Sequence, residues 1–247
     1  AFMRDVVQSA LTANDSPIVA IDEHERWLRE EARSGTSISF RWAFNSETKT
    51  LADRVEAVVI DLLRSHAEWH PDELQREVYR RFPDQFTPDR ALVATCIASY
   101  ADEIEPGRVQ LRSEDAFESR EGEMKEAKES LEAIGQKLNY EVKSKPSAVI
   151  WLQDKVEVYS FVISTLAEID PMLRAESGVL VLPGGRASLL QFKLNRDPRL
   201  HESQWQTLKF RSLRHLTEHT DLTLDVFALA LGLEPPIEQA GTQIKLL

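Results

Sequence analysis

"SAVIWLQDKVEVYSFVIS", residues 147–164, contains two apolar runs rich in Val, Ile, Trp, Tyr and Phe, parted by the polar pair Asp154-Lys155. Strand-forming residues on both sides of a two-residue polar break predict a tight β-hairpin. "LNYEV" (138–142) reads as a strand just before it. Upstream, residues 117–138 form a helical pattern with Met124, Ala127, Leu131, Ile134 and Leu138 on one side and Glu/Lys pairs at spacings of three and four on the other. Downstream, "TLAEIDPMLRA" (165–175) reads as a helix interrupted by Pro171, and "GVLVL" (178–182) as a buried strand. An amphipathic helix follows Pro183-Gly184-Gly185, and "QTLKF" (206–210) reads as a last strand. Helix, three strands, helix, strand, helix, strand is an α/β order that needs at least one crossover connection.

The stretch before it has a different grain. "LADRVEAVVIDLLRSH" from residue 51 puts Val55, Val58, Val59, Leu62 and Leu63 on one helical stripe. "HPDELQREVYRRF" opens with Pro71 and acidic residues, a helix start, and "TPDRALVATCIASYA" repeats the device with Thr87 as the expected N-cap. "EIEPGRVQLR" then predicts a short hairpin arm around Pro106-Gly107. Three helices and a ribbon over 51–113 make a winged-helix-like domain, with an expected core of Val58, Leu62, Leu74, Val78, Leu92 and Ile97. The whole chain therefore reads as α+β: an N-terminal helical segment (1–50, with helices over 2–14 and 21–33), the winged-helix-like domain (51–113), and an α/β domain with a central mixed sheet and a C-terminal helix (114–247). The start at Ala1, already in a helical pattern, suggests a fragment with further domains upstream.

Composition excludes several classes. No apolar run approaches the ~20 residues that span a bilayer, and no signal-peptide pattern opens the chain, so a cytoplasmic protein without membrane contact is expected. The single Cys96, within "ALVATCIASY", leaves no internal disulfide and no cysteine-rich metal site, and reads as a packing thiol. The net charge of −11 argues against polyanion binding by the whole surface. Charge is uneven, though: residues 51–110 carry seven basic and twelve acidic groups, residues 186–215 seven basic and two acidic. A winged helix that reads DNA presents cations on its third helix. Here that stretch offers Asp89, Arg90, Thr95, Ser99, Tyr100 and Asp102, which points to a structural or protein-binding module.

The order from residue 117 to 219 resembles the restriction-endonuclease-like fold, the PD-(D/E)XK superfamily. The matching pieces are Ile134-Gly135 through Tyr140, Trp151, Tyr159-Ser160-Phe161-Val162, and Leu180 through Arg199. The resemblance implies a sheet domain from bacterial DNA-processing or antiviral-defence proteins. Its chemistry needs an Asp on the second strand and Glu-x-Lys or Asp-x-Lys on the third, to hold a hard divalent cation. Asp154 and Glu157 fall in that region, but Tyr159 stands where the lysine belongs. The expectation is a domain without its own catalysis and without a cofactor. Mg²⁺ would enter only in the alternative of a metal-dependent nuclease using Asp154 and Glu157.

The basic segment supplies the binding expectation. A strand running into Gly184-Gly185 and a helix presents open N–H groups and a helix dipole to an anion. Arg186, Lys193, Arg196, Arg199, Lys209, Arg211 and Arg214 would surround it, so DNA is the candidate ligand through residues 184–214. No Walker P-loop, nucleophile elbow or dinucleotide fingerprint occurs. His215 and His219 lack the Glu and third ligand of a zinc site, so no metal site is expected. The functional reading is a non-catalytic DNA-binding, positioning or assembly region of a larger protein, with protein subunits or upstream domains as partners. A pure protein-interaction scaffold is the other alternative, and the tail "DLTLDVFALALGLEPP" could cap the domain or bind a partner helix through Leu222, Leu224, Phe227, Leu229 and Leu231.

Overall fold

Thr50 stands just ahead of the first apolar stripe, and its hydroxyl accepts the Asp53 N–H at 3.1 Å. That contact closes one of the N–H groups left open at a helix start, and helix α1 (Leu51–Ser65) follows. The computed structural model describes residues 49–83 and 87–232; the N-terminal segment expected over 1–50 lies outside them except for its last two residues. Pro71 begins α2 (Pro71–Arg80), as its position in the sequence predicts. In α3 (Arg90–Tyr100) the cap is Asp89 rather than Thr87. Its carboxylate accepts the Ala91 N–H at 3.0 Å, which leaves Pro88 outside the helix. Strands β1 (Ala101–Glu105) and β2 (Arg108–Leu111) pair antiparallel, turning at Gly107 with φ +77°. Trp69, between α1 and α2, adds a bridge to Val109.

Helix α4 (Phe117–Lys137) ends where Asn139 takes a left-handed φ of +65° and the Tyr140 N–H returns to Gly135 O at 2.9 Å. This turn delays the first strand of the main sheet, so β3 (Glu141–Lys145) starts after residues 138–140 rather than at 138. Strands β4 (Ala148–Gln153) and β5 (Val156–Ile163) form the expected hairpin. Asp154 (φ +52°) and Lys155 (φ +68°) are both left-handed, the conformation of the turn that matches strand twist. Residues 164–169 are not helical; Pro171 sits in the first turn of α5 (Asp170–Arg174) and so starts that helix instead of interrupting a longer one. There follow β6 (Val179–Leu182), a 3₁₀ turn at Gly184–Arg186, α6 (Ala187–Arg196), β7 (Gln206–Lys209), α7 (Phe210–Glu218) and α8 (Leu224–Leu229).

The architecture is α+β: three helices and a two-stranded ribbon, then a mixed sheet in the order β3-β4-β5-β6-β7. The β3–β4–β5 pairings are antiparallel and β5–β6–β7 parallel. All four residues of β6 are buried, which suits a strand covered on both faces. Leu180 and Leu182 join Val55, Val59, Leu92, Val93, Leu189 and Leu190 on one face. Val179 and Val181 join Leu131, Ile134, Trp151, Phe161, Leu208 and Phe227 on the other. One core therefore runs from α1–α3 onto the sheet, and the expected boundary at 113/114 falls in a short 3₁₀ turn between β2 and α4. Leu62, Leu74, Val78 and Leu92 are buried in this core as expected, with Val58 and Ile97 half-buried at its margin.

Candidate functional site

Lys193 and Arg186 lie inside the protein, where no phosphate backbone meets them. Lys193 projects from α6 toward α1, and its side chain is fully buried. Its Nζ donates to Asp53 Oδ1 at 2.8 Å, Glu56 Oε2 at 2.6 Å and Ala167 O at 3.1 Å. The spacing of Asp53 and Glu56 puts both on one face of α1. Their remaining capacity goes to the backbone of the 164–170 loop. Asp53 accepts the N–H of Ile169 and of Asp170, the latter at 2.9 Å, and Glu56 accepts the Ala167 N–H at 2.7 Å and the Tyr100 hydroxyl. Burial draws the Lys193 ammonium down, but Glu56 and Asp53 more than offset it and hold it charged, above the usual lysine range. The Tyr100 phenol is pushed well above its usual value, first by burial and then by the Glu56 charge. Burial likewise raises the Cys96 thiol, with Glu56 adding to it, so this residue is the packing thiol that its sequence context predicts.

Arg186 is also fully buried. Its guanidinium lies 3.5 Å from the centroid of the Tyr100 ring and donates to Asp115, to Ser99 O and, at 3.2 Å, to Ser99 Oγ. Asp115, in the turn before α4, also takes Arg120 Nε at 2.8 Å. Both cations expected at the anion site thus act as internal partners for carboxylates that lie far away in sequence. An unpaired buried charge is costly, so the fold brings acid to each.

The other five cations divide. Arg196 pairs with Asp89 at the start of α3, Arg199 with Asp197 at 2.6 Å, and Arg214 with Glu123 and Glu126 of α4 at 3.1 and 3.2 Å. Lys209 is buried at the end of β7, and Arg211 is exposed beside it. A Cβ added to Gly184 would lie 3.9 Å from Arg211 Nε and 4.0 Å from Lys209 Cδ, and one on Gly185 would lie 3.5 Å from Arg112 Nη1. Gly184, Gly185, Lys209 and Arg211 therefore do meet, together with Arg112, which the sequence reading passed over. Arg112 is itself held by Asp102 at 3.0 Å and Ala98 O at 2.9 Å.

Asp154 lies in the hairpin turn and Glu157 near the start of β5, both exposed. Tyr159, at the lysine position of the resembled pattern, packs into a ring cluster with Tyr140, Trp151, Phe161 and Phe227. Tyr159 at this position is half-buried and packs against the core. Among the described residues no group of three or more His, Cys, Asp or Glu is placed to hold a metal ion. His215 and His219 are exposed at the end of α7. On α3, Ser99 and Tyr100 face inward, and the exposed positions are Arg90, Ala91, Ala94 and Ala98. Among the described residues no helix is long and apolar enough to cross a membrane. Comparison with protein-family models and with curated proteins finds no match.

Proposed function

We propose that residues 49–232 are a non-catalytic positioning and assembly region of a larger bacterial DNA-processing or antiviral-defence protein in the cytoplasm. In this reading a winged-helix-like module (α1–β2) is fused to a restriction-endonuclease-like sheet (α4–β7) that has lost its chemistry. The order of α4, three antiparallel strands, a helix and a parallel strand supports the second resemblance, and the Trp69–Val109 bridge beside the ribbon supports the first. Fold likeness alone does not give function. The observation that carries the reading is the internal use of charge: Lys193 ties α6 to α1 through Asp53 and Glu56, and Arg186 ties the turn before α6 to α3 through Ser99 and to the turn before α4 through Asp115. The inward flank of α3 is held by α6 and the turn before it, through the Arg196–Asp89 pair and the Ser99–Gly185 contact, and its exposed positions offer one cation, Arg90. The test is incubation of the full chain with duplex and single-stranded DNA and Mg²⁺ or Mn²⁺. No cleavage is expected, and cleavage abolished by Asp154→Ala or Glu157→Ala would establish the nuclease alternative.

A second reading, DNA contact through the phosphate backbone, rests on the meeting of Arg112, Lys209 and Arg211 at Gly184-Gly185. Each phosphate neutralised contributes about −0.9 to the slope of log K against log[salt] for B-DNA. Arg211→Ala should make that slope shallower by about one unit and weaken unrelated sequences alike. No binding by the wild-type chain at low salt would leave assembly as the sole role.

A further inference from the structure

Asp53 and Glu56 of α1, Tyr100 of α3, Asp115 before α4, and Arg186 and Lys193 at α6 are all buried at the seam between the helical layer and the sheet. Nearly every bond they make crosses from one element to another. The apolar part of the same seam is Val55, Val59, Leu92 and Val93 against Leu180, Leu182, Leu189 and Leu190. Aliphatic contacts are non-directional, and cores of this kind lose uniqueness of packing before they lose stability. The polar contacts are directional. The Ala167, Ile169 and Asp170 amides find acceptors only where Asp53 and Glu56 stand, and Lys193 finds its two carboxylates only there. In a rotated docking these groups would be buried without partners, which is a strong penalty against that docking.

We infer that Asp53, Glu56 and Lys193 form a latch that selects one orientation of α1–α3 on the sheet. The inference deepens the positioning role and rests on it, but its test reads geometry and not DNA, so either can fail alone. In the full chain, Arg76→Cys on α2 and Glu129→Cys on α4 accept spin labels at exposed positions, while the buried Cys96 does not react. The latched chain should give one narrow distance distribution. The variant Asp53→Leu/Glu56→Leu/Lys193→Met removes the three charges but leaves the Ala167, Ile169 and Asp170 amides and the Tyr100 hydroxyl without acceptors. It should still unfold cooperatively, at a lower temperature than the parent, and give a broad or multi-peaked distribution. A narrow distribution at the parent distance would overturn the inference, and so would loss of folding in this variant. A milder change gives an independent reading. Glu56→Gln should speed amide exchange at Ala167 by about tenfold, a local loss of one charge-assisted bond, with the β6 amides unchanged. Equal acceleration at Ala167 and Val181, or none at either, would overturn it as well.

Discussion

Gly135→Ala tests how tightly the sheet is seated on α4. A Cβ at this position would lie 2.4 Å from Trp151 Nε1 and 2.8 Å from Cδ1 and Cε2, well inside any ordinary contact. The indole cannot swing away cheaply. It is fully buried, its Nε1 donates to Leu131 O at 3.1 Å, and it touches Tyr140, Tyr159, Phe161 and Phe227. Alanine is favoured over glycine within a helix by ~1 kcal/mol. Against that stand overpacking, about 1–3 kcal/mol, and the buried indole N–H left without its acceptor, again about 1–3 kcal/mol. The balance is a net loss of roughly 1–5 kcal/mol, which lowers Tm by roughly 2–20 °C for a unit of this size. Gly122 is the matched control: it lies on the same helix with nothing within 4 Å of its would-be Cβ. Gly122→Ala should raise stability by up to ~1 kcal/mol. Thermal melts and urea titrations of both variants, followed by far-UV circular dichroism, compare them directly. A Gly135→Ala chain as stable as Gly122→Ala would refute the packing argument.

Three further outcomes follow from the same contacts. Lys193→Met alone leaves Asp53 and Glu56 buried without their cation and should cost about 3–5 kcal/mol, read as a fall in the urea midpoint; a change under about 1 kcal/mol would contradict the pairing. Tyr100 and Lys193 both have folded pKa values above their unfolded ones, so their stabilisation is full below about pH 10 and is lost as pH rises through the folded values. The urea midpoint should therefore drop above about pH 10, less steeply in Tyr100→Phe; identical slopes in the two chains would show that Tyr100 does not titrate in this transition. Asp154→Asn/Lys155→Gly supplies the residues preferred where both turn positions are left-handed and should add ~0.5–1 kcal/mol, with a lower Tm as the contrary result.

Much of the fold was legible because period and punctuation agree. The polar pair between two β-branched and aromatic runs became the turn at Asp154-Lys155, and the 117–138 stripe became α4. Misplaced boundaries share one cause, side chains or turns that cap backbone groups locally. Asp89 displaced Thr87 because its carboxylate reaches Ala91 N–H, and the Asn139 turn moved the start of β3. The loop at 164–169 was unreadable as a loop, because its amides are satisfied by Asp53 and Glu56 more than a hundred positions earlier. Helix α7 had a signal, Phe210, Leu213 and Leu216 spaced by three and all buried, but it is short and merges with the strand before it. In the tail, Leu222 and Phe227 turn into the core, whereas Leu224 and Leu229 stay exposed.

The candidate site was the least legible part, for a reason specific to charge. Counting residues 186–215 alone finds seven cations against two acids, a count that implies a positive surface. The acids that answer them come from elsewhere in the chain: Asp53 and Glu56 from α1, Asp89 from the start of α3, Asp115 from the turn before α4, Glu123 and Glu126 from α4 itself. Asp197 alone is local. A local charge count assumes that neighbours in sequence share a surface, which holds along a solvated helix and fails where crossover helices dock on other elements. Helix α6 is such a helix. Its cations had two destinations, solvent or the opposing layer, and a charge count does not choose between them, whereas periodicity puts Lys193 on the same face as Leu189 and Leu190. That placement was the available signal. A lysine on the apolar face of an amphipathic helix requires a buried carboxylate, and the earlier stripe of α1 contains two, Asp53 and Glu56, one helical turn apart.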